Sequence, residues 1–90
     1  MKEHQRIMVL DSDREMLKLL DRMLEKEGFD TIVIADSDEA LALLDKIKPD
    51  MVIMDATGSG ASDIQTLDLI RKRSDVPVIM LSPKPEVTYL

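Results

Sequence analysis

The sequence predicts an α/β domain with a doubly wound parallel sheet, in the strand order 2-1-3-4. Three observations predict it. Four short apolar runs punctuate the chain, segments with helical apolar spacing lie between them, and carboxylates stand immediately after the first and third runs. Strands alternating with helices of this size imply βαβ units with right-handed crossovers.

Residues 7–10 (IMVL) form the first run, continuous as expected of a strand covered on both faces. The acidic turn Asp11, Ser12, Asp13 follows. Over residues 14–27 the apolar positions Met16, Leu17, Leu19, Leu20, Met23 and Leu24 recur at helical spacing, with Lys18, Asp21, Arg22, Glu25 and Lys26 left for solvent. Gly28 is the expected helix stop. Residues 31–35 are the second strand. Asp36 or Ser37 caps a second helix whose face is Ala40, Leu41, Leu44 and Ile47, and Pro49 closes it. Residues 51–54 are the third strand, ending on Asp55, and residues 56–61 have the small, glycine-rich composition of a loop. Ser62 followed by Gln65 fits a capping box for a third helix with Ile64, Leu67 and Ile70 on its apolar side. Residues 76–81 are the fourth strand, with Pro77 near its start, where a missing N–H does least harm.

A chain of 90 residues is one domain, spanning 1–90. Its hydrophobic content of 44% is almost wholly aliphatic, with one Phe, one Tyr and no Trp, and seven methionines make the core adaptable. The absence of cysteine excludes disulfides, thiolate metal sites and cysteine nucleophiles, and fits a reducing compartment. The only histidine, His4, sits in a polar leader and is read as solvated. No apolar run is long enough to cross a bilayer and no secretory signal opens the chain, so a cytoplasmic protein without a membrane partner is expected. A net charge of −6 argues against nucleic acid as a direct partner. The one basic cluster, Arg71, Lys72 and Arg73, falls in the last turn of the third helix, where cations complement exposed carbonyls.

Asp11, Asp13 and Asp55 all follow apolar strands. If the first and third strands are neighbours, as the doubly wound order requires, these groups converge in one crevice at the carboxyl ends of the strands. Crowded carboxylates repel, and a divalent cation relieves the repulsion. Mg²⁺ suits hard oxygen ligands and retains several waters. A carboxylate beside such a cation is able to attack a phosphoryl group. Aspartate is also common in turns and at helix starts, so the same spacing fits plain caps, Asp13 at the first helix above all.

The segments RIMVLDSDREMLKLLDRMLEKEGF, ADSDEALALL, KPDMVIMDA and VPVIMLS resemble, in order and spacing, the receiver domains of response regulators from two-component signalling. Together they cover nearly the whole chain. The resemblance implies a flavodoxin-like fold and a signalling module, not an enzyme that turns over a metabolite. It implies that Asp55 accepts a phosphoryl group from a histidine kinase or phosphotransfer protein, and that Ser82 is the switch hydroxyl bonding that group. It also implies a Mg²⁺ site formed by Asp11, Asp55 and the backbone carbonyl of Thr57, with Asp13 a further candidate ligand.

Three departures from the family pattern matter. Ser12 stands where the family has a second acidic metal ligand, which weakens the Mg²⁺ site, and with Glu15 it forms an S-x-x-E capping box. The loop after Asp55 reads ATGSGASDI in place of a Met-Pro pair and a later glycine, and Gly58 and Gly60 loosen it. The pattern also stops before the family's last helix, strand and helix, which carry the lysine that pairs with the phosphoryl group; Lys84-Pro85 copies its dipeptide but follows the fourth strand directly, as loop. A sheet ending at the fourth strand exposes an apolar edge. The expectation is a piece of a longer protein or a homodimer covering that edge. A phosphorylation-independent pseudo-receiver, serving as a dimerisation or docking module, is the alternative function. A phosphoaspartate-type hydrolase ranks last because the chain is too short to build a substrate cap.

Overall fold

The computed structural model describes residues 5–55 and 60–81, which form four strands and three helices in the order β1 (Arg6–Leu10), α1 (Arg14–Lys26), β2 (Asp30–Ile34), α2 (Ser37–Ile47), β3 (Met51–Asp55), α3 (Gly60–Arg73) and β4 (Val78–Leu81). The sheet is parallel, in the expected order β2-β1-β3-β4. In β1, Met8 and Leu10 point to one face and Ile7 and Val9 to the other, and all four are buried. The first set packs with Ala40, Leu41 and Leu44 of α2 and Ile70 of α3, and the second with Leu17, Leu20 and Leu24 of α1. Helices therefore cover both faces, which is why the strands are continuous apolar runs without alternation.

The helix ends are set by local chemistry. After α1, Gly28 at φ +92° lets its own N–H reach the carbonyl of Glu25 and that of Phe29 the carbonyl of Leu24, a Schellman closure. α2 ends on Lys48 in the left-handed region (φ 49°), because the residue before Pro49 is sterically barred from continuing a helix. The Arg6 guanidinium donates to the Ile47 carbonyl at 3.1 Å and complements that helix end. In the basic cluster, Arg71 donates to the Val76 carbonyl and Arg73 to the Leu41 carbonyl at 3.1 Å. These two arginines fasten the end of α3 to the approach of β4 and to α2.

Several sequence expectations are corrected. α1 is capped by Asp13, whose carboxylate accepts from the Glu15 N–H at 3.0 Å; the Ser12–Glu15 box does not form, because the helix starts at Arg14 and puts Ser12 one residue too early. The six apolar positions of α1 wrap too far round the helix to be buried together, and Leu19 and Met23 are 53% and 55% exposed. α3 begins at Gly60, ahead of Ser62, and buries Thr66 and Ile70, whereas Ile64 is exposed; it lies about 200° around the helix from Thr66. β4 begins at Val78, after the proline, although Val76 is buried and the Pro77 carbonyl still accepts from Val52.

The contrast between β1 and α1 is measurable. Met8 is almost fully buried between the sheet and α2, so Met8→Ala should cost about 2–5 kcal/mol in denaturant unfolding. Leu19→Ala should change stability by less than about 0.5 kcal/mol.

Candidate functional site

The Leu10–Met54 pair closes the β1–β3 ladder at its carboxyl end. One residue beyond it on each strand stand Asp11 and Asp55, on neighbouring strands with the usual spacing of about 4.8 Å. Parallel pairing with equal strand lengths thus brings together two residues separated by two strand crossings in sequence.

Asp11 is only 3% exposed. Its backbone N–H donates to the Ile34 carbonyl at 3.1 Å, extending the β1–β2 ladder by one bond. Its carboxylate accepts from the Asp13 N–H at 2.9 Å, an Asx turn that orients the side chain and lets the chain swing into α1. Two consecutive aspartates of the turn therefore have different tasks: Asp11 is held in the buried end of the sheet, and exposed Asp13 is committed to the helix cap. Ser12 between them is exposed.

Of the residues singled out from sequence, Asp11 and Asp55 are brought to one place. Asp13 is adjacent, but its cap bond turns it toward α1. Thr57, Ser82 and Lys84 lie outside the described residues. The same edge carries the start of α2, whose cap the sequence places at Asp36 or Ser37. Asp36 caps α2 by accepting from the Asp38 N–H at 3.3 Å, with Asp38 and Glu39 in the first turn. Their signal in the sequence is the N-terminus of a helix that follows a strand of a parallel sheet, which topology places at the carboxyl edge. Asp36, Asp38 and Glu39 thus join Asp11 and Asp13 at this edge, while Asp30, Asp45, Asp50 and Asp75 lie with Arg6, Lys48 and Arg71 to Arg73 toward the opposite one.

Asp11 is a buried carboxylate, a group whose charge is kept inside a protein only where hydrogen bonds or positive charge offset the loss of water. Among the described residues no set of three or more His, Cys, Asp or Glu side chains is arranged to hold a metal. Mg²⁺ does not need one, since it binds commonly through one or two carboxylates and keeps waters for the rest. The pair Asp11 and Asp55 fits that donor set. No helix among the described residues is long and apolar enough to cross a membrane.

Comparison with known proteins agrees with this geometry. The family model described as "Response regulator receiver domain" matches residues 7–90. The "DNA-binding response regulator MtrA" of Mycobacterium tuberculosis is 38% identical over 82 residues, covering 91% of this chain and 36% of that protein. The chain thus spans about a third of the length of this relative. Among solved structures, the N-terminal domain of a response regulator receiver protein from Methanoculleus marisnigri superimposes with a TM-score of 0.81 at 29% identity, over 91% of this chain and 69% of that one. The chemotaxis response regulator CheY4 of Vibrio cholerae, at 21% identity, shares the fold with a TM-score of 0.82 over 92% and 72% of the two chains. With its strand order and a family match over nearly all of its length, the chain belongs to the response regulator receiver domain family.

Proposed function

We propose that this chain is a phospho-accepting receiver module in which Asp55 takes a phosphoryl group from the phosphohistidine of a histidine kinase or phosphotransfer protein. The observation that carries the reading is the β1–β3 register, which stands buried Asp11 beside Asp55 at the carboxyl ends of adjacent strands. In the transfer, an Asp55 carboxylate oxygen forms a P–O bond as the donor's P–N bond breaks, and the departing imidazole keeps the electron pair and takes up a proton. Asp11 and Asp55, with the Thr57 carbonyl, would hold Mg²⁺, which when bound supplies positive charge to the transferring oxygens. The Asp13 N–H keeps the Asp11 carboxylate oriented for that task. Ser82 would donate its hydroxyl to the phosphoryl group.

Incubation with acetyl phosphate and Mg²⁺ followed by intact mass measurement tests this directly. One phosphoryl group should be added to the wild-type chain and none to Asp55→Asn, with Asp11→Asn slowing the addition. No mass gain under conditions that modify an ordinary receiver would instead support a phosphorylation-independent docking module. That second reading draws on one observation: with Ser12 exposed and Asp13 engaged in the cap, the β1–α1 turn offers the site a single carboxylate.

We further propose that the chain forms a homodimer through β4. It is the last strand of the described sheet, its Ile79 and Met80 are 44% and 37% exposed, and residues 78–81 contain no charged side chain to discourage strand pairing. Sedimentation equilibrium at micromolar concentration should show a dimer that Ile79→Lys converts to monomer. A folded wild-type monomer under those conditions counts against it.

A further inference from the structure

β2 is the outer strand of the sheet on the side opposite β4, and its sequence does nothing to protect that edge. Asp30 donates its N–H to the Gln5 carbonyl at 2.9 Å, and the Ile34 carbonyl accepts from the Asp11 N–H at 3.1 Å. Asp30, Ile32 and Ile34 therefore turn their backbone groups toward β1, while Thr31 and Val33, which alternate with them, turn theirs outward. Among the described residues no backbone hydrogen bond uses these outward groups. Exposed edges are usually blunted by a lysine, a proline or a bulge. Residues 31–35 (TIVIA) hold no charge and no proline, the ladder with β1 runs without a break, and the Val33 side chain is 41% exposed.

At the amino end of this edge lies an open cleft of about 620 Å³, lined by Glu25 of α1 and by Phe29, Asp30, Thr31 and Ile32. The space above Gly28 is empty, since an added Cβ there would meet no atom within 4 Å. Arg6 also borders the cleft, but its guanidinium is engaged with the Ile47 carbonyl. Glu25 and Asp30, both exposed, are therefore the charges that face a ligand in it. The Thr31 hydroxyl donates to Asp21, which holds α1 along the edge and sets Glu25 one turn further toward the cleft. Of the basic residues of α1, Arg22 and Lys26 flank Glu25 outside the cleft, and Arg14 and Lys18 lie back along the helix toward the carboxyl end of β2.

We infer that the outer edge of β2 takes up an extended segment of a partner protein, which adds a strand to the sheet and seats a lysine or arginine in the cleft. Backbone pairing with Thr31 and Val33 supplies the binding, and the cleft supplies the choice of sequence, as in other strand additions. The long stem of a basic side chain would lie over Phe29 while its charge stays beside Glu25 and Asp30 at the rim. Uncharged β-branched residues would accompany it, since they suit a half-covered strand and match the run in residues 31–35. A second copy of β2 is the poorer occupant. It is flanked by Asp30 on one side and by Asp36 and Asp38 on the other, so it brings only carboxylates to an acidic cleft. Neither Asp55 nor a bound cation takes part in this contact, which is separate from phosphoryl transfer.

The test uses the full 90-residue chain and capped peptides of alternating valine and threonine, one with a lysine at its amino end and one with a lysine at its carboxyl end, each with a glutamate counterpart. One of the lysine peptides should bind, and which one it is gives the strand direction. In amide hydrogen exchange, the Thr31 and Val33 N–H groups should gain about ten-fold protection in the complex, while the Ile32 N–H, which faces β1, changes little. Methylating the peptide nitrogens on the side that faces β2 should abolish binding, and methylating the alternate ones should preserve it. Val33→Lys should weaken binding about ten-fold, and Glu25→Lys combined with Asp30→Lys should transfer it to a glutamate peptide. These side chains are exposed, so the variants should keep the wild-type circular dichroism spectrum. Asp55→Asn should bind like wild type, so that this result stands apart from any failure of phosphorylation. Binding of no peptide, equal binding of lysine and glutamate peptides, or equal loss with both methylated sets overturns the inference. So does a smaller sedimenting species for Val33→Lys than for wild type, which would assign the edge to a second copy.

Discussion

Everything at the carboxyl edge depends on β1 pairing in parallel with β2 on one side and β3 on the other. That pairing requires β1 to be apolar on both faces, and its four buried residues meet the requirement with two side chains toward each helical layer. Once β1 is central, its end and that of β3 are neighbours, and the residues after Leu10 and Met54 must share a crevice. A slip of one residue in this register would exchange the layers faced by Met8 and Val9, leaving both cores mispacked. The hydrophobic cores therefore enforce the position of the acidic pair. The opposite end of the ladder is fixed too: the Arg6 N–H donates to the Asp50 carboxylate at 2.8 Å, while the Asp50 N–H donates to the Arg6 carbonyl at 2.8 Å.

The strands were legible in the sequence because both-face burial leaves an uninterrupted apolar run, and their alternation with helices implied a parallel sheet; the strand order came with the doubly wound arrangement that the family resemblance carries. Outer faces were less legible. In α1, six apolar residues at helical spacing look like one broad buried face, but the sheet accepts only the stripe centred on Leu17, Leu20 and Leu24. In α3, Thr66 is polar and yet buried, so an apolar pattern pointed to Ile64 in its place. The turn sequence Asp11, Ser12, Asp13 offered two overlapping caps. Which one forms depends on where the helix starts, and only the structure places that start at Arg14.

The site itself was half legible. Asp11 and Asp55 are marked by position, since each follows a buried strand. That Asp11 is the buried partner and Asp13 the exposed cap is a matter of two backbone donors, the Asp13 N–H on Asp11 and the Glu15 N–H on Asp13, which no residue type announces.

If β1–β3 pairing makes Asp11 and Asp55 one cation site, as proposed, both strand ends respond to the same ion. Amide NMR spectra recorded during a titration with paramagnetic Mn²⁺, a stand-in for Mg²⁺, test it most directly. Signals at the ends of β1 and β3 should broaden together at the first additions, ahead of those near Asp30 and Asp50 at the opposite edge, and Asp11→Asn should abolish both effects at once. Broadening at one strand end alone, or spread evenly over exposed carboxylates, would contradict it.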